Sequence, residues 1–555
     1  MNKMAQEEKN RRSAEKNGAV DNFMGGVSFR WNALDTLKMV SASSIFAEPA
    51  YYRDGQYAPM SIMDGKAKTD PLFADYVVSM LRRFDGMTTT QVMEKAIDEA
   101  LDLDFKGTLE WAVTLRNEYY MRLNPQVIMV RAAIHPGRQA FTRETPGFFA
   151  EIQRKVMLRA DEPASQFLYY LFRKGSKAAL PSILKRAWAR RIEEMSRYEI
   201  YKYRNAGVGL IDTVRVCHAG GELVDELMQT GTVTPEEEEK TWESMRSSGA
   251  TWQEILDSIH IGHMALLRNL RGIFSEISDM DRTKAILEDL KAGVRKGKQF
   301  PFRYYSAYWA IIKDTDVHHR RMILDALEEC VDIACDNMPK LKGRTICLSD
   351  NSGSAWGAFT SEYGSVTVAV IDNLSSVVTA RNSDEGTVGK FGDKLIRFDI
   401  SKRNGVLKQV GNISGNRGSD VGGSTECGIW LFFKEAIERK EHFDHIFIYS
   451  DMQAGHGGLY GTVAETAVYT AAGYSCRGSY IDVAKLIADY RKKVNPKVNV
   501  YSVQTAGYNN VVIPENGYRT ALMYGWTGRE LVYADAISRF WDEKESSVSA
   551  NARTQ

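Results

Sequence analysis

No stretch of the 555 residues approaches the roughly 18 uninterrupted apolar positions that a membrane-spanning helix requires, so a soluble protein is expected. The leading segment MNKMAQEEKNRRSAEKNG is charged and polar where a secretory signal would carry an apolar core, so a cytoplasmic location is expected. Cys217, Cys330, Cys335, Cys347, Cys427 and Cys476 include no CxxC pair, so neither a disulfide framework nor a zinc site is indicated, and reduced, mostly buried thiols are expected. Net charge is also missing: 72 Lys and Arg stand against 71 Asp and Glu, leaving +1. If the charge were evenly spread, that balance would speak against a nucleic-acid partner, because phosphate binding needs positive potential. The 44% apolar and 26% charged residues are ordinary for a soluble globular chain and exclude disorder and collagen-like repeats. At about 150 residues per domain, the length predicts two to four domains.

Residues 1–20 lack periodicity and read as a disordered tail. From about 30 to 335 the pattern is helical. Thr69-Asp70-Pro71 reads as a helix start with proline at the first helical position, and Asn124-Pro125 opens another helix. Amphipathic segments follow at about 89–101, 162–173, 181–197, 222–229, 234–247, 252–273, 281–292 and 320–336. Short helices joined by polar turns fit an irregular bundle or a solenoid of stacked helix pairs, and without a clean period any HEAT-type repeat must be degenerate. Near Pro339 the pattern changes. Strands are expected at 344–349, 394–400, 445–450 and 497–503, and helices at 361–378, 428–439, 483–491 and 529–541, with a polar tail from Glu543. This alternation predicts a doubly wound α/β domain with a mainly parallel sheet.

Directly after the first of these strands stands Asp350-Asn351-Ser352-Gly353-Ser354, one carboxylate and two hydroxyls at alternate positions. In an open α/β sheet, ligands bind beyond the carboxyl ends of the strands, where this loop falls. Hard oxygen donors suit Mg²⁺, although the isolated motif is equally compatible with a loop held by local side-chain hydrogen bonds. Thr425, before the 428–439 helix, adds a hydroxyl, and Asp451, after the strand 445–450, adds a carboxylate.

The charge is not evenly spread. Between Arg173 and Arg204, ten basic residues face three acidic ones, a local charge of +7. On a helical wheel over 181–197, Ile183, Leu184, Ala187, Trp188, Ile192 and Met195 form the apolar stripe. Arg186, Arg190 and Arg197 fall within roughly 40° of one another on the other side, whereas Arg191 lands on the stripe. Tyr198, Tyr201 and Tyr203 interleave the charges, which suits unpaired bases as well as phosphates. A merely solvated face is compatible with the same pattern. An acidic counterweight lies at Glu222, Asp225, Glu226 and Glu236–Glu239.

Asp350, Ser352, Ser354, Thr425 and Asp451, at those places, resemble the metal-ion-dependent adhesion site of von Willebrand factor A domains, and residues 339–535 resemble that fold. The resemblance implies that Asp350, Ser352 and Ser354 supply the first-loop ligands of a Mg²⁺ ion and Thr425 the second-loop ligand. It implies that Asp451 is a direct or water-mediated carboxylate, and that the open metal position takes an acidic group from a partner. The segment LPSILKRAWARRIEEMSRYEIYKYRNAGVGLIDTVRVCHA is similar to the basic core of the TROVE module, and three further segments agree in order: WNALDTLKMVSAS with EPAYYRDG, SSGATWQEILDSIHIGHMALLRNLRGIF, and FPFRYYSAYWAI. A TROVE module at 21–338 followed by an A-like domain, with a polar tail at 536–555, is the architecture of the Ro ribonucleoprotein family.

That architecture implies a ring of HEAT-like helical repeats that binds a small non-coding Y-like RNA on a basic outer face and accepts single-stranded 3′ ends of misfolded or structured RNA. Lys202, Arg204 and His218 match the family's Y RNA-binding surface, and Lys185, Arg186, Arg190 and Arg197 belong to the preceding basic helix. The run between Arg204 and His218 is less basic than in animal members, and His218 is equally a histidine at a helix end. The expected protein is thus a non-catalytic, monomeric RNA-binding scaffold in RNA quality control, with an exoribonuclease or other protein as a partner through the A domain. Two other classes stay open. One is a metal-dependent protein-interaction scaffold without RNA. The other is a hydrolase built on Asp350, Asp451 and a metal, with His456 as its sole candidate base.

Overall fold

The computed structural model describes residues 19–21, 27–29, 33–43, 89–175, 179–205, 209–234, 240–297, 299, 301–357, 367–422, 426–450, 483–505, 518–524 and 530–553. The helix expected after Thr69 lies outside them. The chain divides into two compact units, one of residues 32–47 and 90–261, the other of residues 1–31, 48–89 and 262–555.

Every described element of the first unit is a helix: α1 (Ala33–Ser43), α2 (Thr89–Leu103), α3 (Phe105–Asn117), α4 (Leu123–Ile134), α5 (Arg138–Glu144), α6 (Phe148–Val156), α7 (Glu162–Lys174), α8 (Ser182–Glu193), α9 (Arg197–Tyr203), α10 (Leu210–Cys217), α11 (Glu222–Thr230), α12 (Trp242–Ser247) and α13 (Trp252–Ser258). Pro125 sits in the first turn of α4, where its missing N–H costs nothing. The single amphipathic segment read over 181–197 is two helices. Ser196 starts α9 with a capping box: its Oγ accepts from the Glu199 amide at 3.2 Å, and the Glu199 carboxylate accepts from the Ser196 amide at 3.1 Å. The same carboxylate accepts from Arg191 at 2.9 Å, which explains how a cation sits on the apolar stripe. Leu184, Trp188 and Ile192 are fully buried. Trp188 donates its indole N–H to Gln166 Oε1 at 2.8 Å, and Gln166 donates to Gln126 at 2.7 Å and to Gln153 at 3.1 Å. This buried network joins α4, α6, α7 and α8, so the basic helix is fixed from beneath by polar bonds as well as by apolar packing.

The second unit opens with an antiparallel pair, β1 (Ala19–Asp21) and β2 (Val27–Phe29). Four helices follow, α14 (His263–Glu276), α15 (Met280–Gly297), α16 (Pro301–Ile312) and α17 (Arg320–Asp336). Then come β3 (Leu341–Asp350), α18 (Gly353–Gly357), α19 (Val368–Arg381), β4 (Ser383–Phe391), β5 (Leu395–Asp399), α20 (Val406–Ser414), α21 (Glu426–Glu438), β6 (His445–Ser450), α22 (Val483–Lys493), β7 (Asn499–Gln504), β8 (Thr520–Tyr524) and α23 (Glu530–Arg553). The sheet order is β5-β4-β3-β6-β7-β8, parallel except for the edge strand β5. Ile346 and Leu348 of β3 pack on one face with Phe432 and Phe433 of α21 and Leu486 and Tyr490 of α22. On the other face, Thr379 of α19 bonds the Tyr449 hydroxyl at 2.8 Å, and Tyr501 donates to the Ala534 carbonyl of α23 at 3.1 Å. Helices therefore cover both faces, as the alternating pattern predicts.

Two strands were invisible to hydrophobic patterning, β4 and β8. β4 reads SDEGTVGKF, polar with two glycines, yet it is the inner neighbour of β3. A Cβ on Gly386 would lie 2.0 Å from the Ala380 carbonyl oxygen, and Lys390, fully buried, donates to Asp420 at 2.7 Å. Close backbone approach and a buried ion pair replace the apolar run. The helix expected from 361 is observed as Val368–Arg381, with 358–366 outside the described residues. The expected polar tail from Glu543 gives way to helix through Arg553, because Glu545 accepts from Tyr518 at 2.6 Å, Arg519 at 2.8 Å and Lys497 at 2.9 Å. Charges rather than apolar residues dock that turn. Helices α14 to α17, expected to end the helical domain, cluster with the sheet. Asp332 on α17 accepts from the Val406 amide at the start of α20 at 3.0 Å and lies 3.5 Å from Arg381.

Candidate functional site

The basic stretch separates into neutralised and open cations. Arg197 donates to both carboxylate oxygens of Glu226 on α11, at 2.9 and 3.0 Å, and to the Thr234 carbonyl at 3.3 Å. Lys202 donates to the Tyr198 hydroxyl at 2.9 Å, lies 5.3 Å from that ring's centre and stands 3.8 Å from Glu243 on α12. Its partial burial opposes the charged form, but the Tyr198 bond and the Glu243 charge prevail and raise its pKa. Arg204 folds back on the Tyr201 carbonyl with its guanidinium 4.3 Å from the Tyr201 ring centre. Glu226, from the acidic counterweight, and Glu243 are thus beside α9 in space, while 236–239 lie outside the described residues. His218, exposed, closes α10 in the left-handed conformation at φ 59°, its amide donating to the Val214 carbonyl at 2.8 Å. It is a histidine at a helix end, held by its backbone.

α8 differs. Lys185, half-exposed, and Arg186 and Arg190, both exposed, form no ion pair among the described residues; Arg186 reaches only the Ser182 carbonyl, at 3.4 Å. Arg154 on α6 is also exposed, and with Arg186 and Arg190 it lines a single concavity. Sequence reasoning missed Arg154 because it lies upstream of the basic stretch, in a helix whose charges are otherwise mixed.

In the α/β unit, β3 and β6 are neighbours, and the chain runs from β3 to β4 on one side and later to β6 on the other, so the strand order reverses between β3 and β6. Asp350 ends β3 at that switch point, where an open sheet forms its crevice. It is fully buried; its Oδ1 accepts from the Ser352 amide at 2.9 Å and its Oδ2 from Ser450 Oγ at 2.6 Å. Burial raises its pKa above the usual carboxylate value, against bonds from Ser450 and Ser352 that lower it. Beneath the loop, Asn351 donates to Asn373 on α19 at 2.9 Å and accepts from Trp356 at 3.2 Å.

Residues 232–321 match the TROVE domain model. The matched span covers SSGATWQEILDSIHIGHMALLRNLRGIF and FPFRYYSAYWAI. Among solved structures, the Ro (RSR) protein of Deinococcus radiodurans shares its fold, with a TM-score of 0.56 at 13% identity over 79% of this chain and 92% of that one. No curated protein sequence matches.

Of the expected metal ligands, Asp350 and Ser352 are buried side by side. Ser354 lies in α18 with its side chain outside the description, and Thr425 and Asp451 lie outside the described residues. Their described neighbours stand at the same end of the sheet. A Cβ on Gly392, which follows β4, would lie 2.3 Å from the Gly422 carbonyl oxygen, one on Gly428 would lie 2.4 Å from Phe391, and Ser450 bonds Asp350. A buried carboxylate whose ionised form is disfavoured by desolvation fits a divalent cation. Among the described residues, no three His, Cys, Asp or Glu side chains converge. His456 lies outside the described residues. No helix there is long and apolar enough to cross a membrane.

Proposed function

We propose that this protein is a non-catalytic RNA-binding protein of Ro type, which forms a ribonucleoprotein with a small non-coding Y-like RNA and handles misfolded or structured RNA. The observation that carries the reading is α8, where Lys185, Arg186 and Arg190 stand without acidic partners among the described residues in a chain whose total charge is +1. Uncompensated cations on a helix fixed from beneath are suited to phosphate. Arg204 and His218 extend the surface, whereas Lys202 stands beside Glu243 and Arg197 is committed to Glu226. In the test, Arg186, Arg190 and Lys202 are replaced together by Glu, and retention of a structured RNA is followed by gel shift. Loss of the shift with an unchanged melting temperature is expected, and an unchanged shift would sink the assignment.

In the A-like domain, Asp350, Ser352, Ser354, Thr425 and Asp451 would hold Mg²⁺, which when bound offers an open coordination position to an acidic group of a protein partner such as an exoribonuclease. The burial of Asp350 favours this second role. If it were the sole role, a pull-down would recover an EDTA-sensitive protein partner and no nucleic acid. Under the combined reading, the protein purified from its own cells carries RNA, visible as a raised 260/280 nm absorbance ratio.

A further inference from the structure

The turn that leads from β5 into α20 contains Asn404 and Gly405, and neither the basic helix nor the metal loop uses it. Asn404 is exposed, and its side-chain amide makes no hydrogen bond among the described residues. Gly405 is the N-cap of α20, and its own amide has no acceptor among them. A Cβ on Gly405 would lie 2.4 Å from Glu328 Oε1 of α17, so a carboxylate is packed against the glycine in the space a side chain would need. The Asn404 carbonyl oxygen accepts from Arg381 Nη1 at 2.7 Å and from Gln409 Nε2 at 3.0 Å. Arg381, with its side chain only 12% exposed, is held 3.5 Å from Asp332. Gln409 is held by Ser401, accepting from its amide at 2.9 Å and donating to its carbonyl at 3.0 Å. Two fixed donors, one of them charged and largely desolvated, thus converge on a single peptide oxygen. Helix capping does not account for them, because a helix start leaves amides in want of partners and not carbonyls.

We propose that this turn is a site of self-catalysed deamidation, at which Asn404 is converted mainly to isoaspartate. The Gly405 nitrogen attacks Asn404 Cγ and forms the N–Cγ bond, while its proton passes to the Glu328 carboxylate. The Cγ–Nδ2 bond then breaks, Glu328 returns the proton to the departing nitrogen, and ammonia leaves a succinimide ring. Water opens the ring at either carbonyl, so the sum is one water taken up and one ammonia released, with nothing oxidised or reduced. A peptide nitrogen is ordinarily a poor nucleophile because its lone pair is delocalised into the carbonyl. Once its proton is withdrawn, the negative charge falls largely on the Asn404 oxygen, where Arg381 and Gln409 already stand, donors preorganised toward the charge that develops. Glycine leaves the nitrogen unhindered, and the unbonded Asn404 amide is free to turn toward it. The same two donors polarise the backbone carbonyl of the ring, so water adds there and the main chain is rerouted through Cβ. The added backbone atom falls next to Val406, whose amide donates to Asp332 at 3.0 Å, so the modification loosens the start of α20 from α17.

The test incubates the full-length protein at neutral pH and follows the peptide that holds residue 404 by mass spectrometry, for a gain of one mass unit. Isoaspartate is scored by labelling with an isoaspartyl methyltransferase. A synthetic peptide of residues 399–409 supplies the rate of the same Asn-Gly pair without Arg381 and Glu328. Asn404 is expected to react about tenfold faster in the folded protein than in the peptide, with isoaspartate exceeding aspartate. Arg381→Gln and Glu328→Gln should each slow it about tenfold, less than a fully buried oxyanion donor or general base would, because the turn is open to water. Should Arg381→Gln fail to fold by circular dichroism, Gln409→Met, which removes the other donor, replaces it with the same expectation. In the reacted protein, amide exchange at the start of α20 should be faster than in Asn404→Gln, which cannot follow this route at the same rate. An Asn404 that stays intact, that reacts no faster in the protein than in the peptide, or that is indifferent to either substitution overturns the proposal. Aspartate formed without isoaspartate shows direct hydrolysis of the side chain and overturns it as well.

Discussion

Arg190 and Arg197 stand seven residues apart on one side of the same basic stretch, yet they differ in what they can bind. Arg197 has its guanidinium satisfied by Glu226, whereas Arg190 has no acidic partner among the described residues. Recruiting Arg197 to a phosphate would first require breaking that pair. Arg197→Ala should therefore cost at most about 1 kcal/mol of stability in urea denaturation and leave RNA affinity nearly unchanged, while Arg190→Ala weakens RNA without altering the unfolding midpoint. The reverse pattern in filter binding would refute the division into neutralised and open cations. Composition and wheel geometry placed both residues on one face, because a wheel carries no information about what comes from another helix. Asp350 is the opposite case: its loop position was legible in DNSGS next to a buried strand, and its bond from Ser450, one hundred residues later, was not. For the metal site the expected outcome is that millimolar Mg²⁺ raises the melting temperature, that EDTA reverses the rise, and that Asp350→Asn abolishes the response. A wild-type melt insensitive to Mg²⁺ would count against a resident cation.

At the scale of elements, legibility followed apolar content. β3 and β6, nearly continuous buried runs, could be read directly, as could most helices. β4 could not, because its place beside β3 depends on the absence of side chains at Gly386 and Gly389 and on one buried ion pair, none of which has a periodicity. Gly386→Ala puts a methyl against the Ala380 carbonyl, and a loss of about 1–3 kcal/mol in equilibrium unfolding is expected, the usual cost of overpacking. The last turns of α23 have the same character. Burial alone would raise the Glu545 pKa, but the bonds from Arg519, Tyr518 and Lys497 outweigh it and bring it down to about 2 from an ordinary value of 4.5. A folded pKa below the unfolded one means that the stabilisation is complete above about pH 4.5 and is lost as pH falls toward 2. Amide exchange in the C-terminal half of α23 should accelerate across that window, and in Glu545→Gln it should already be fast at pH 6. Exchange that is flat with pH in the wild type would show that the docking is apolar after all.

For the whole molecule, a formal charge of +1 describes an average over cations that differ in availability. Glu226 and Glu243 lie beside the cations of α9 and cancel them locally, so the positive surface left over is smaller than the +7 of the sequence stretch and is centred on α8. This contraction has a measurable consequence. A protein that met RNA with all ten cations of the stretch would lose affinity steeply with salt, with a slope of log K against log salt near −7 for single strands, from about −0.7 per phosphate neutralised. If the open set is Lys185, Arg186, Arg190 and Arg154, at most four phosphates are neutralised, and the slope falls to about −3. Arg154→Ala should then reduce the slope by about 0.7. Charge reversal of Glu226 offers the complementary check: Glu226→Lys removes the acid holding Arg197, enlarges the open set and should steepen the wild-type slope. A slope near −7 in the wild-type protein would mean that the ion pairs of α9 dissolve on binding and that the sequence stretch as a whole, rather than α8, is the working surface.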